Sequence, residues 1–205
     1  MTDQFAQLAT TEYANVLSGE KFIEPSIRPL WPNMSRIAGP AYTVQLASGD
    51  HLMLHAAIYQ APKGSIIVVD GVDCARAVAG GNVCAIAQQR GIKGFVIDGV
   101  IRDLAEITEM AFPVYAKGVF PVPGNKQQFF ELAQPITCGR VRVETGDIMV
   151  ADIEGIVAIP RDCATDIFQQ AKAKYQQECA MTLAQWQAQH EVKVKQALAA
   201  AKANN

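Results

Sequence analysis

The chain has 205 residues, half of them hydrophobic, which suffices for one domain with a substantial core. Only 19% of the residues are charged and the formal net charge is −2, so there is no basic surplus to displace phosphate counterions, which argues against nucleic acid as a partner. No run approaches about 18 uninterrupted apolar residues and the N-terminus lacks a signal-peptide core; a cytoplasmic protein with no membrane partner is expected. Along the chain, spaced apolar positions over residues 2–17 suit an amphipathic helix ended by Gly19. Pro25, Pro29 and Pro32 mark a loop. Residues 37–46 read as a strand, residues 48–50 as a turn, 51–60 as a helix and 62–64 as another turn.

The middle of the chain alternates apolar runs with helical stretches. Residues 65–70 (SIIVVD) and 93–98 (KGFVID) are continuous apolar runs that end in an acid, with a helix over 82–90 between them. A short helix over 104–110 and a strand over 113–117 follow. Buried strands alternating with helices give an α/β domain with a parallel component, whose ligand belongs beyond the carboxyl ends of the strands. Three short strands, 141–144, 148–151 and 156–159, then read as an antiparallel section, and Pro160 stops the last. Residues 161–201 are rich in Ala, Gln and Lys, which favour helix. One straight helix of that length would span roughly 60 Å, so it is expected to break near Met181–Thr182 or to pack on a neighbouring subunit. The five cysteines are odd in number and show no CxxC spacing, which predicts mostly buried free thiols in a reducing compartment.

Two segments could carry chemistry. Gly80–Gly81–Asn82–Val83 opens a helix with a glycine pair, so a ligand can approach free backbone N–H groups suited to a carboxylate. The same pair would also serve a tight turn. In Asp98–Gly99–Val100–Ile101–Arg102–Asp103 the buried strand ends, the chain turns at Gly99, and a guanidinium is set beside a carboxylate. Arg102 offers a planar fork to an acid group and Asp103 a hard oxygen to Mg2+ or Mn2+. An ion pair at the start of the next helix would use the same residues. Together the two segments offer what a 2-oxo acid needs, amides and an arginine for the carboxylate and a cation for the carbonyl. His51 and His55 have an i, i+4 spacing compatible with metal ligands, but no Glu follows His51 as in a zinc protease. Lys117 could form a Schiff base, though nothing marks it as desolvated. Asp152 and Glu154 read as turn residues, Trp31 and Trp186 as packing or interface residues, and His190 as exposed.

From residue 64 to 118 the chain resembles the class II pyruvate aldolases that cleave 4-hydroxy-4-methyl-2-oxoglutarate or 4-carboxy-4-hydroxy-2-oxoadipate, which belong with the RraA-like proteins. The resemblance rests on GSIIVVD at 64–70, GG at 80–81 and VIDGVIRD at 96–103, and extends to IAGPAYTV at 37–44 and to residues 145–160. It implies a single α/β/β/α swivelling-domain-like fold over 1–160, a helical extension over 161–205, and a homotrimer or hexamer. It also implies that Gly80, Gly81, Asn82 and Val83 bind substrate, that Arg102 contacts pyruvate, that Asp103 binds a divalent metal (Mg2+ or Mn2+), and that Glu178 of a neighbouring subunit completes the site. Aldolases of this kind often carry an acid where this chain has Gly81. The implied activity is a metal-dependent carbon–carbon lyase releasing pyruvate, with oxaloacetate decarboxylation as a side reaction. The alternative is a non-catalytic RraA-like regulator that binds a ribonuclease.

Overall fold

The computed structural model describes residues 2–71 and 73–203. Its strands are β1 (Arg28–Pro29), β2 (Ile37–Gln45), β3 (Ile66–Asp70), β4 (Gly94–Ile101), β5 (Val114–Val119), β6 (Ile136–Cys138), β7 (Val141–Val143), β8 (Ile148–Ala151) and β9 (Ile156–Ile159). Its α-helices are α1 (Thr10–Ala14), α2 (Leu52–Gln60), α3 (Gly81–Gln89), α4 (Leu104–Glu109), α5 (Ala164–Cys179) and α6 (Leu183–Ala203). A seven-stranded sheet has the order β1-β5-β4-β3-β2-β8-β9. Strands β2 to β5 pair in parallel, whereas β1, β8 and β9 join antiparallel.

The pleat sorts the apolar side chains into layers, because alternate residues of a strand face opposite sides. Ile67, Val69, Phe95, Ile97 and Val114 pack with Leu54, Ile58, Cys84 and Ile107 of the helices on one face. On the other face Ile66, Val68, Val96 and Tyr115 meet the β6–β7 hairpin together with Met149, Ala151, Ile156 and Ala158. The alternate residues Ile148, Val150, Val157 and Ile159 face Phe5, Leu8, Tyr13 and the α5 residues Ala164, Phe168 and Ala171. Helices, sheet, curled antiparallel strands and outer helices therefore stack as α/β/β/α, the predicted architecture.

Several local expectations are corrected. The stretch 2–17 is a 3₁₀ turn (Thr2–Gln7) followed by α1, not one helix. Asp152 accepts hydrogen bonds from the Thr10 backbone N–H and hydroxyl at 2.9 and 2.7 Å, and this restarts the helix there. The proline-rich loop contributes β1 to the sheet edge. The chain does not turn at Gly99: β4 runs on to Ile101 through a register shift between Ile97 and Val100. A Cβ on Gly71 would lie 2.6 Å from the Asp98 carbonyl oxygen, so the loop after β3 packs backbone against backbone on this irregularity. Only Cys84 and Cys138 are buried; Cys163 is half-buried, and Cys74 and Cys179 are exposed. The C-terminal helical stretch does break at residues 180–182. No helix among the described residues is long and apolar enough to cross a membrane.

Candidate active site

Backbone hydrogen bonds draw four separate segments together at the carboxyl ends of β3 and β4. Val78 N–H donates to the Val100 carbonyl and Arg102 N–H to the Ala79 carbonyl, both at 3.0 Å, which ties the entry of α3 to the end of β4. Ala77 N–H donates to Val122 at 2.8 Å and Gly124 N–H to Ala77 at 3.0 Å, laying the loop after β5 along the same strip. His51 N–H donates to Asn125 at 2.9 Å, and this adds the start of α2. The cavity they enclose is lined by His51, His55, Gly80, Asn82, Val83, Arg102, Asp103 and Pro123, with Ala77, Val78 and Ala79 behind.

The first intrahelical bond of α3 runs from Cys84 N–H to the Gly80 carbonyl at 3.1 Å. The N–H groups of residues 81–83 therefore have no partner within the helix. Gly81 N–H is satisfied by the Asp103 carboxylate, whose Oδ2 lies 3.1 Å away and also 3.4 Å from Arg102 Nε. The Asp103 side chain thus caps the facing helix α3. At the start of its own helix, α4, it makes no capping hydrogen bond, and its backbone is left-handed at φ 59° and ψ 39°. Oδ1 accepts no hydrogen bond from the described residues, and the side chain keeps 35% of its exposure. Burial, followed by the Asp103 charge, pushes the Cys84 thiol up to about 12, so it stays protonated inside the core.

The same packing explains the glycine pair. A Cβ on Gly80 would stand 2.5 Å from Asp103 Oδ2 and 3.2 Å from Arg102 Nε. The Glu106 carboxylate of α4 fills the space that a side chain at Gly81 would need. Arg102 and Asp103 also border a second, open and mostly apolar recess formed by Leu104, Val119, Phe120 and Pro121.

Of the residues predicted for the site, Gly80, Asn82, Val83, Arg102 and Asp103 line this one cavity, whereas Gly81 is not part of its lining and gives its N–H to Asp103. Glu178, expected at the site of a neighbouring subunit, lies away from the cavity of its own chain and is exposed near the end of α5, whose inner face packs on α1 and the β8–β9 layer. Lys117 is no Schiff-base candidate. It pairs with Asp98 and, at 3.4 Å, with Glu24, and the Asp98 hydrogen bond foremost raises its pKa. Asp152 is a turn residue, accepting from Glu154 N–H at 3.0 Å, but it is also buried and holds Thr10 and Arg36. Trp31 packs against the core, whereas Trp186 stacks on His190 at 4.5 Å on the exposed helix α6.

Sequence reasoning missed that His51 and His55 belong to this cavity. Their rings stack at 4.3 Å with an interplanar angle of 24°. Burial lowers the His51 pKa, a hydrogen bond to the Ala77 backbone opposes it in part, and the Lys126 and Arg102 charges add to the lowering. Burial, then His51 and Lys126, bring His55 down to about 4 against a weaker upward pull from Asp50. Both imidazoles are neutral at pH 7. Their i, i+4 spacing was visible in the sequence; the loop that carries Pro123 across to them was not.

The family described as RraA-like: Aldolase/RraA matches residues 7–158. A relative from Halalkalibacterium halodurans named "Putative 4-hydroxy-4-methyl-2-oxoglutarate aldolase" is 38% identical over 172 residues, covering 83% of this chain and 81% of the relative. A Burkholderia multivorans protein of the same name is 33% identical over 138 residues, 67% of this chain and 83% of that one. Among solved structures, an uncharacterised protein from Pseudomonas syringae pv. tomato superposes with a TM-score of 0.80 at 28% identity, covering 92% of both chains. The RNA-processing inhibitor RraA from Thermus thermophilis shares the fold, with a TM-score of 0.68 at 23% identity over 75% of this chain and 93% of its own.

Proposed function

The chain belongs to the RraA-like Aldolase/RraA family, and from that premise we propose that it is a divalent-metal-dependent lyase that cleaves 4-hydroxy-4-methyl-2-oxoglutarate-type 2-oxo acids to pyruvate. The observation that carries the reading is the meeting, in one cavity, of the α3 N-terminus, the Arg102 guanidinium and an Asp103 carboxylate with one free oxygen.

The residues fit a hard cation bound through a single carboxylate. Asp103 keeps Oδ1 available, and no group of three His, Cys, Asp or Glu among the described residues could enclose an ion by itself. Magnesium commonly binds in this way, with water and substrate oxygens completing its shell. When bound, the cation supplies polarisation of the substrate's 2-oxo group. The chain's own residues do the rest. The N–H groups of Asn82 and Val83 hold the substrate carboxylate at the positive end of α3. Arg102 adds a charged fork that orients the same acid and favours the negative charge developing on C2–C3. The Gly80–Gly81 pair makes room for the Asp103 and Glu106 carboxylates against the start of α3. Release of CO2 from oxaloacetate gives the same enolate, so decarboxylation is expected as a side reaction.

The assembly proposed is a homotrimer or hexamer, with Glu178 of a neighbouring subunit at the site. Helix α6 buries no residue and displays Leu183, Trp186, Val192, Val194 and Leu198 to solvent, and the recess at Val119 and Phe120 is open. Apolar exposure of this kind suits a partner surface. Sedimentation of the full chain and of a chain ending at Pro160 tests it: the full chain should be a trimer or hexamer, and a fully active monomer defeats the idea.

The function is tested by pyruvate release from a panel of 2-oxo acids. Activity should vanish with EDTA and return with magnesium or manganese. Activity that survives chelation and is trapped by borohydride would identify a Schiff-base enzyme instead.

A further inference from the structure

We propose that His55 is the base of the cleavage: a free ring nitrogen takes the proton of the substrate's C4 hydroxyl as the C3–C4 bond breaks. This rests on the lyase reading above and names a proton acceptor within the cavity of a single chain. A retro-aldol step needs an acceptor for the hydroxyl proton, and neither the α3 amides nor Arg102 can accept one.

Among the side chains of the cavity, the acceptors are Asp103, His51 and His55. Asp103 is committed to Gly81 N–H and to the cation. His51 is hydrogen-bonded to the Ala77 backbone, and its Nδ1 abuts the chain at Gly124, where an added Cβ would stand 3.3 Å away. It is a positioning residue. The His55 ring makes no hydrogen bond to the described residues, lines the cavity, and is held by the stack on His51. A half-buried imidazole whose ring borders the cavity beside Asp103 and Arg102 can meet a bound substrate directly.

The surroundings keep that lone pair available. Burial first, then His51 and Lys126, disfavour a proton on His55 in the empty site, while Asp50 favours it. An anionic substrate entering the cavity shifts the balance towards protonation, so the base strengthens only when its substrate is present. The step balances without another reagent. The O–H pair of the C4 hydroxyl becomes the second C4–O bond, and the C3–C4 pair becomes the C2–C3 double bond of the pyruvate enolate. His55 holds the proton and can return it to C3, giving pyruvate and a second oxo acid.

The test is His55→Gln, which retains a polar head but no basic nitrogen. Cleavage of 4-hydroxy-4-methyl-2-oxoglutarate should fall by about 10²–10⁴ in kcat, the usual worth of general acid–base catalysis. Oxaloacetate has no C4 hydroxyl, so its decarboxylation should fall far less. Calorimetric binding of oxalate with magnesium should stay within about threefold of wild type, which shows a folded and intact site. Cleavage within about threefold of wild type, a parallel fall of both reactions, or loss of oxalate binding would overturn the role of His55. A wild-type protein silent on every 2-oxo acid would overturn the lyase reading itself, and this inference with it.

Discussion

Two aspartates of this chain stand in similar company and have opposite characters. Asp103 and Asp152 each sit beside an arginine and each accept a backbone N–H at the start of a helix. Asp152 is fully spent: it takes Thr10 N–H and hydroxyl, Glu154 N–H and Arg36 Nε, and its side chain is 5% exposed. Asp103 takes one amide and a longer contact with Arg102, and keeps an oxygen and a third of its surface free. The first ties the N-terminal segment to the β8–β9 layer, where burial and hydrogen bonding convert charge into stability. The second leaves coordination capacity unused, which is what a ligand-binding carboxylate requires.

The largest expected effect tests this contrast at Asp103. Asp103→Asn keeps the size and can still accept from Gly81 N–H, so thermal stability should hardly change. Turnover should fall by about 10³ or more if the carboxylate holds a cation; unchanged pyruvate release under saturating magnesium would erase the distinction. Next comes Asp152→Ala, which strands Arg36 and Thr10. It should cost about 3 kcal/mol in urea unfolding, the lower end for a broken buried pair because Arg36 is a third exposed. Turnover per folded molecule should be that of wild type. Gly80→Ala should cost about tenfold in turnover, because the new methyl displaces Asp103 Oδ2, whereas Gly81→Ala meets only the mobile end of Glu106 and should cost less.

The smallest effect is a pH dependence that separates the two ends again. His55 is depressed from 6.5 to about 4 in the folded chain. Between those values the unfolded state binds more protons, so its contribution to stability is complete above pH 6.5 and is lost as pH falls towards 4. His51 shifts in the same direction. Unfolding midpoints across this window should flatten in His55→Gln and keep their slope in Asp152→Ala. An equal slope in His55→Gln and wild type would show that His55 carries no such linkage.

Much of this was legible in the sequence because it depends on local pattern. Apolar runs ending in Asp70 and Asp98 marked β3 and β4, and the residue types at 80–83 and 102–103 carried their chemistry with them. What escaped depends on long-range partners. Asp152 breaks the N-terminal helix from 142 residues away. Two residues of β1 pair with β5 inside what reads as a proline loop. Where a turn was expected at Gly99, β4 runs on through an irregularity against which Gly71 packs backbone to backbone. The histidine pair joins the cavity only through the Ala77–Gly124 and His51–Asn125 bonds, which no periodicity in either segment announces.

The left-handed backbone at Asp103 narrows what this position can become. At φ 59° glycine, asparagine and aspartate sit most easily, since any Cβ crowds the following carbonyl oxygen and a short polar side chain can offset this locally; Ala111, Ala133 and Arg140 bear the same cost elsewhere in the chain. Glutamate, the other carboxylate the genetic code places one base away, meets that penalty and also carries its oxygens too far. A saturation library at codon 103 should therefore return folded protein enriched in Asp, Asn and Gly, and active protein in Asp alone. Neutral drift between the two acidic residues, open at most surface positions, is opposed here by backbone angles and side-chain reach together.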